Sequence, residues 1–266
     1  MTSHRVTARN PRWRQWIERL SRGVVLQRRL PAELGSHRIY VSPDARLRFW
    51  LPDVYRSDRL LLRLGRELVR SGDAVWDIGA NVGLFSFAAA HFAGSPGEVV
   101  ALEPDPWLAG LIRRSGHGFP STFASIEVIE AAASAVPGPL VFAIARRGRA
   151  TSHLSAVDGS TQSGGSRSTM TVRGVTLDML LDDHRPPRLV KIDVEGAELL
   201  CLQGARALLS SVRPAILCEV DAANRPAVGD ILAAADYQLF DAEQAPTRRE
   251  RLLQPVWNTL AIPISR

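Results

Sequence analysis

Lysine is almost absent from this sequence of 266 residues, because Lys191 is the only lysine among 33 basic residues. The formal charge of +6 is therefore carried by arginine. The acidic residues are interspersed with these arginines, and such mixing is typical of an ordinary charged surface rather than of a basic patch for a polyanion. An arginine bias of this kind indicates a GC-rich coding genome, and we do not expect nucleic acid as a partner.

Cysteines and long apolar runs are also scarce. Cys201 and Cys218 are the two cysteines, and they show neither C-x-x-C spacing nor a histidine cluster. Buried free thiols in a reducing compartment are the simple interpretation. No run reaches the length of about 18 apolar residues that a transmembrane helix needs, and the N-terminus lacks the apolar core of a signal peptide. We therefore expect a cytoplasmic protein.

Residues 1–72 predict a small basic N-terminal cap. Residues 11–22 are typical of an amphipathic helix with arginines between its apolar positions, which are Trp13, Trp16, Ile17 and Leu20. Such a helix can pack on its own domain, pair two subunits of a homo-oligomer, or make peripheral contact with an acidic membrane surface. The alternating stretches "HRIYVS" and "ARLRFWL" predict a hairpin, and "DRLLLRLGRELVRSG" predicts the helix that completes the cap.

Residues 73–266 alternate between apolar strands and helices. Strands that are apolar on both faces and alternate with helices predict a doubly wound, Rossmann-like α/β fold, with a parallel sheet covered by helices on both faces. An insertion at about 138–177 holds a tract rich in Gly, Ser, Thr and Arg. This tract is too polar to be core, so we expect a mobile lid between two added strands.

The stretch "VWDIGANVGLFSFAAA" lacks the G-x-G-x-x-G spacing of dinucleotide-binding turns, since its glycines are Gly79 and Gly83. In an open parallel sheet, a turn after the first strand lies where ligands bind. The glycines let a ligand approach the backbone, and the N–H groups that open the next helix attract an anion. The sequence therefore predicts a site for a small anion such as a carboxylate.

Glu103 ends the second strand, in "ALEPDP", where a carboxylate can accept hydrogen bonds from both hydroxyls of a ribose. A nucleoside ligand is implied. Nicotinamide enzymes and methyltransferases both place an acid here, so two enzyme classes stay open at this point. A solvated acid at the end of a strand is the alternative without a ligand.

With "VKIDVEGAELL", "GVTLDMLL" and "WNTLAIP", these motifs resemble the FkbM family of S-adenosylmethionine-dependent methyltransferases over about residues 73–262. The resemblance implies a class I methyltransferase sheet with S-adenosylmethionine as the cofactor and Glu103 at its ribose. It places the adenine near 130–132, with Ala131 in contact. It also implies five further residues that bind the methyl donor: Asp77, Gly79, Ala80, Asn81 and Gly83.

Asp193 and Glu195 follow the fourth strand of the predicted sheet and face the crevice where the methyl group would be presented. Either carboxylate could take the proton of an acceptor hydroxyl. Alternatively, Glu195 is an acid favoured by a helix dipole, and Asp193 holds the ammonium group of the donor. His153 in the lid is a further candidate base, since imidazole titrates in the right range, although a solvated loop histidine is the simpler interpretation.

Asp193 also belongs to a group of oxygen-bearing side chains, with Glu219, Asp221 and Asn224, that resembles the ligand layout of metal-dependent catechol-type methyltransferases. A hard-cation site needs several convergent oxygens, which a sequence cannot show, so no metal is predicted. We expect O-methylation of a small-molecule or glycan acceptor: a sugar, a polyketide or another secondary metabolite. The alternatives are a metal-assisted O-methyltransferase, a nicotinamide-dependent oxidoreductase and a non-catalytic basic binding module.

Overall fold

The computed structural model describes residues 12–55, 58–157 and 164–264. In these ranges the α-helices are α1 (Arg12–Leu20), α2 (Arg59–Leu68), α3 (Leu84–Ala93), α4 (Pro106–Gly116), α5 (Leu180–Asp183), α6 (Glu198–Gln203) and α7 (Arg225–Ala234). The strands are β1 (Leu26–Arg29), β2 (Arg38–Val41), β3 (Ala74–Ile78), β4 (Glu98–Leu102), β5 (Ser125–Ile129), β6 (Ala132–Ala133), β7 (Gly138–Ala145), β8 (His153–Leu154), β9 (Ser166–Val175), β10 (Leu189–Ile192), β11 (Ala215–Glu219), β12 (Tyr237–Asp241), β13 (Arg251–Leu252) and β14 (Asn258–Pro263). Single helical turns complete the chain: 3-10 helices at Ala32–Leu34, Leu47–Trp50, Arg149–Thr151 and Pro246–Arg248, and a π-helix at Leu208–Val212.

The central sheet has eight strands in the order β13-β12-β14-β11-β10-β3-β4-β5. The five strands from β11 to β5 run parallel, and this confirms the doubly wound α/β fold. The prediction of an all-parallel sheet is wrong at one edge, because β14 lies antiparallel between β11 and β12. Between β12 and β14 the chain forms one 3-10 turn and the short β13 rather than a long crossover helix, so it returns in the antiparallel sense.

Apolar side chains cover both faces of the sheet. Along β3, Trp76 and Ile78 belong to the apolar cluster on one face, which includes Val190 of the neighbouring strand β10. Val75, between them in sequence, belongs to the cluster on the opposite face. This alternation is the two-residue period of a strand, and burial of both faces explains why β3 and β10 are apolar except at Asp77 and Lys191.

The insertion folds as a second sheet in the order β6-β9-β7-β8. The predicted added strands are β7 and β9, which pair antiparallel. The prediction of a mobile loop is wrong for 149–154, which form a 3-10 turn and β8. Arg149 fastens this part through ion pairs with Asp44 and Asp105. Residues 158–163 of the same tract lie outside the described residues.

The N-terminal hairpin pairs β1 with β2, so the prediction that 45–51 forms its other strand is wrong. That stretch holds the 3-10 helix Leu47–Trp50 instead. The guanidinium of Arg28 donates hydrogen bonds to the carbonyl oxygens of Phe49, Trp50 and Leu51, at 3.1, 3.0 and 2.9 Å. These carbonyls therefore have partners without a β-ladder, which alternation of apolar residues alone could not reveal.

The N-terminal segment and the central sheet share one apolar core. Leu30, Ile39 and Phe49 lie in the same buried cluster as Phe87 of α3 and Ile112 of α4. Hydrogen bonds from Tyr40 N to Ser115 Oγ (2.8 Å) and from Tyr55 Oη to Leu84 O (2.6 Å) cross the same contact. This packing holds the N-terminal segment against the carboxyl edge of the sheet. None of the helices in the described ranges has the length and apolar character to cross a membrane.

Two glycines give a matched test of the packing. A Cβ at Gly204, after α6, would lie 2.2 Å from Ser134 O, whereas a Cβ at exposed Gly110 in α4 would meet nothing within 4 Å. Gly204→Ala should lower the free energy of unfolding by about 1–3 kcal/mol, since neither backbone can move freely. Gly110→Ala should raise it by about 0.4–1 kcal/mol. Urea unfolding of both variants measures these changes. Equal changes in the free energy of unfolding would contradict the close contact at Gly204.

Candidate active site

A large cavity of about 1180 Å³ lies at the carboxyl edge of the parallel strands. The turns after β3, β4, β5, β10 and β11 form its floor. Its other wall comes from the N-terminal segment, mainly 45–49 and 58–63, and from the insertion at 147–152. Ligands of open α/β sheets bind at this edge, so the fold itself indicates where a substrate lies.

Gly79 brings the turn after β3 against the end of β10. Its φ is +79°, and a Cβ at this position would lie 1.9 Å from Asp193 O. Asn81 and Gly83 also have left-handed φ angles, of 55° and 81°. Only glycine fits at position 79, so the close approach of two strand ends depends on this residue.

The amide groups of this turn already have partners inside the protein. Gly79 N and Ala80 N donate hydrogen bonds to Leu102 O, at 2.9 and 3.0 Å. Asn81 N donates to Glu103 Oε2 at 2.7 Å, and Gly83 N donates to Ala80 O at 2.8 Å. These four N–H groups are therefore not free to bind an anion, and the prediction of an anion at the start of α3 rests on the amides that follow Gly83. The turn lines the cavity with the residues Gly79, Ala80 and Asn81, whereas Gly83 lies behind it at the start of α3.

Asn81 lines this cavity, but its side-chain oxygen is enclosed by protein. Asn81 Oδ1 is buried and accepts no hydrogen bond from the described residues. A buried acceptor without a donor costs about 1–3 kcal/mol, so this atom is a local cost in the turn after β3.

Glu103 lies in the cavity wall at the end of β4 and is 4% exposed. Its two carboxylate oxygens accept hydrogen bonds from Asn81 N (2.7 Å) and Asp105 N (2.9 Å). Burial raises its pKa from 4.5 to about 8, against the lowering effect of these two backbone hydrogen bonds. Each oxygen can accept one further hydrogen bond, as a ribose diol would donate.

Asp77 and Lys191 form a buried ion pair at the cavity floor, where Lys191 lines the cavity and Asp77 lies behind it. The two residues are register partners on β3 and β10, and Lys191 Nζ lies 3.1 Å from Asp77 Oδ1. Lys191 Nζ also lies 3.5 Å from Asp193 Oδ2 and donates to Gly79 O at 3.4 Å. Ser86 Oγ donates to the other oxygen of Asp77 at 2.6 Å. The carboxylate of Asp77 thus ties strand ends together and does not line the cavity.

The charge of Lys191 is maintained by its neighbours. Burial by itself would lower its pKa, but Asp77, Asp193 and Glu219 together raise the pKa above its ordinary value. Sequence reasoning noted Lys191 only as the single lysine and missed this role. A lone lysine inside an apolar strand of an arginine-rich chain was the available signal.

The segment that follows β5 contributes small apolar residues to the cavity. Ala131 is fully buried and lines the cavity together with Ala132 and Ala133. Glu130 points away and forms an ion pair with Arg113. The floor near β5 is thus lined by small apolar side chains, which can contact an aromatic ring.

Asp193, Glu195 and Glu219 bring three carboxylates into the cavity from the ends of β10 and β11. Burial, followed by the charge of Asp193, raises the pKa of Glu195 to about 9 and that of Glu219 to about 8. Glu195 also has a left-handed φ of 47°. Such backbone strain in a non-glycine residue concentrates at functional sites.

The four side chains that resemble a metal-ligand layout, Asp193, Glu219, Asp221 and Asn224, do not all face the same space. Asn224 Nδ2 donates to Gly196 O (2.9 Å) and Glu198 Oε2 (2.6 Å), so its amide serves the turn before α6. Asp221 borders only a small crevice beside the main cavity. In the described ranges, no three His, Cys, Asp or Glu side chains are arranged to hold a metal ion.

His153 lies on β8, and its ring Nδ1 is 3.2 Å from Thr151 O. Its neighbours Ser152 and Leu154 line the cavity, whereas His153 does not. The alternation of side chains along the chain explains this placement. The structure therefore groups Asp193 and Glu195 with the cavity and leaves His153 outside it.

Arg149 is a second residue that sequence reasoning missed. Its guanidinium bonds to Asp44 and Asp105 and lies over the Trp107 ring, 4.6 Å from the centroid. Asp105 follows Glu103 closely and caps α4 by accepting from Trp107 N. Arg149 thus joins the insertion, the N-terminal segment and the Glu103 turn. No local pattern marked this one arginine among the many.

The strand order, the glycine turn after β3 and the acid after β4 define a Rossmann-like class I methyltransferase. Comparison with known proteins agrees, since residues 77–241 match the methyltransferase FkbM domain. The chain therefore belongs to the FkbM methyltransferase family and is a methyltransferase.

One curated relative and two solved structures illustrate the likeness. The hexuronic acid methyltransferase AglP of Haloferax volcanii is 25% identical over 203 residues, covering 76% of this chain and 77% of that protein. The precorrin-6y C5,15-methyltransferase of Geobacter metallireducens has a TM-score of 0.45 and 15% identity, over 80% of this chain and 90% of that one. The methyltransferase FkbM of Methylobacillus flagellatus has a TM-score of 0.44 and 16% identity, over 75% and 50%.

Lys191→Met should lower the free energy of unfolding by about 3–5 kcal/mol, because it leaves the carboxylate of Asp77 buried without its cation. Asp77→Asn should lower it less, because Lys191 keeps Asp193 at 3.5 Å as a partner. The double variant should cost clearly less than the sum, since neither charge then remains. The exposed pair Arg113 and Glu130 is the matched control, where Arg113→Met and Glu130→Gln should each cost less than about 1 kcal/mol. Denaturant unfolding measures all five variants. Additive effects at Lys191 and Asp77 would contradict a shared ion pair.

Proposed function

We propose that this protein transfers the methyl group of S-adenosylmethionine to a hydroxyl group of a sugar. The observation that carries the proposal is the buried carboxylate of Glu103, which lines the cavity at the end of β4 with two backbone donors behind it. That arrangement suits a ribose diol. The FkbM family supports the choice of a methyl donor over a nicotinamide.

The residues of the cavity fit the donor along its length. Glu103 would accept hydrogen bonds from the ribose, and the alanines at 131–133 would contact the adenine ring. The carboxylate of Asp193 would hold the ammonium group of the methionine part, beside the turn that contains Asn81. The donor supplies an electrophilic methyl group on a sulfonium.

The acceptor side of the cavity favours a polar, acidic sugar. Arg46, Arg48, Arg59, Arg63 and Arg147 all line the wall formed by the N-terminal segment and the insertion. Guanidinium groups bind carboxylates and sugar hydroxyls well. The Haloferax relative carries hexuronic acid in its name, which supports a uronic acid among the acceptors.

Asp193 and Glu195 lie where an acceptor hydroxyl would meet the donor. As the new carbon–oxygen bond forms and the sulfur–carbon bond breaks, one of these carboxylates would take the hydroxyl proton. Because the pKa of Glu195 is raised to about 9, its carboxyl is mostly protonated at neutral pH. Catalysis by Glu195 would therefore increase as the pH rises, and Asp193 is the alternative base.

Donor binding should depend on pH through Glu103. Its pKa of about 8 in the free protein means that the protonated form dominates at neutral pH, whereas ribose hydroxyls bind the ionised form. Binding should then release a proton, and the affinity for S-adenosylhomocysteine should rise by up to about tenfold per pH unit until about pH 8. Isothermal titration calorimetry in buffers of different ionisation enthalpy measures both effects.

Glu103→Gln should remove this pH dependence and weaken binding, whereas Glu130→Gln at the next strand end should change neither. Glu130 is the matched control because it pairs with Arg113 outside the cavity. Unchanged affinity in Glu103→Gln would contradict the ribose assignment. Tight binding of NADH without binding of S-adenosylhomocysteine would instead support an oxidoreductase.

Amide replacements separate the two candidate bases. If Glu195 takes the proton, Glu195→Gln should lower turnover by about 10² to 10⁴ with donor affinity intact, and the rise of the parent's rate towards pH 9 should disappear. If Asp193 holds the ammonium group, Asp193→Asn should weaken donor binding and turnover together. Single-turnover methyl transfer to a panel of neutral and acidic sugars measures the rates.

Asp221→Asn is the control for both variants, because Asp221 follows β11 without lining the main cavity. It should keep normal binding and turnover. Full activity in both Asp193→Asn and Glu195→Gln would leave neither as the base. His153 would then need testing, although it lies outside the cavity wall.

A further inference from the structure

An apolar surface remains exposed beside the cavity. The side chains of Trp16 and Leu20 on α1 are 65% and 70% exposed, and those of Trp50 and Leu51 are 43% and 51% exposed. Large apolar side chains that cluster on a surface mark an interaction site more often than single ones do. We call these four residues the apolar ridge.

The ridge is one continuous structure and not two unrelated patches. Trp16 and Leu20 are four residues apart on α1, so they share one face of the helix. Trp50 Nε1 donates a hydrogen bond to Ser21 Oγ at 3.0 Å, directly after α1. Ser21 Oγ in turn donates to Ile17 O at 2.7 Å. These bonds hold the end of α1 against the Trp50 turn.

The charge around the ridge is mainly positive. In 16–22 and 46–53 the exposed arginines are Arg19, Arg22, Arg46 and Arg48, of which Arg46 forms an ion pair with Asp58. Asp53 is the exposed acid in these ranges, and Glu18 is buried. An exposed tryptophan-and-leucine face flanked by arginines is the composition of helices that lie in the headgroup region of a bilayer. Arginine near an anionic surface adds attraction, which neutral lipids do not provide.

The ridge borders the opening of the cavity. Glu18 and Arg48, each next to a ridge segment, line the cavity, and so does Phe49, which precedes Trp50. A flat surface that contacts the ridge would therefore lie beside the acceptor side of the cavity. This position suits an acceptor presented at a membrane surface.

We propose that the apolar ridge docks this protein on an anionic phospholipid bilayer. The tryptophan and leucine side chains enter the interfacial region, and the surrounding arginines contact the lipid phosphates. The contact is peripheral, and it does not depend on the function proposed above.

Co-sedimentation with vesicles tests the proposal on the full chain. The protein should bind vesicles of phosphatidylcholine mixed with phosphatidylglycerol, and bind vesicles of phosphatidylcholine alone much less. Trp16→Glu combined with Leu20→Glu should lower the partition coefficient for the mixed vesicles by about tenfold or more, because two inserted side chains are lost. Raising the salt concentration should also weaken binding.

Leu253→Glu is the matched control, since Leu253 is 96% exposed and lies outside both the ridge and the cavity lining. It should bind vesicles like the parent. Thermal unfolding and S-adenosylhomocysteine binding of each variant verify that the fold and the cavity are intact. A parent protein that does not bind mixed vesicles, or a ridge variant that binds them equally, would overturn the proposal. A parent that is dimeric in solution and becomes monomeric in the ridge variant would assign the ridge to a second copy of the chain instead.

Discussion

The ion pair between Lys191 and Asp77 is the constraint on which the rest of the site depends. It joins β3 to β10 at the level where both strands end, and it brings Asp193 and the carbonyl of Gly79 into the same contact. Buried charges are costly unless each has a partner, so the register of these two strands is strongly specified. A slip by one residue would leave both charges in an apolar core.

The two walls of the cavity differ in the charged residues that line them. The sheet side presents carboxylates whose pKa values are raised by burial and by one another, as at Glu195 and Glu219. The opposite side is built by parts of the chain outside the alternating strands and helices, and it presents arginines. Arg149 joins the pieces of that wall to the Glu103 turn. A polar acceptor that enters between the walls meets donors on one side and acceptors on the other.

The alternation of strands and helices and the strand ends that form the site could be predicted, because burial on both faces and glycine spacing are local properties of the sequence. Gly79 and Glu103 were found in that way, and both lie in the cavity wall. The use of the turn's amide groups could not be predicted, since Leu102 and Glu103 reach them only in the folded sheet. The roles of Asp77 and Lys191 depend on the register between strands more than a hundred residues apart. The second strand of the hairpin was predicted in the wrong place because "LRFW" alternates like a strand. In the fold its carbonyl oxygens accept hydrogen bonds from the guanidinium of Arg28 instead of from a neighbouring strand.

The burial of Lys191 also means that the folded protein has no side-chain amine at its surface, because the sequence contains no other lysine. Reagents that modify lysine can approach this amine through the cavity, since Lys191 is among its lining residues, and they must then displace the contacts of Nζ with Asp77, Asp193 and Gly79 O. Acylation of Lys191 would remove the positive charge between Asp77 and Asp193 and leave both carboxylates without their cation. The extent of labelling at Lys191 thus reports how tightly the cavity floor holds this amine.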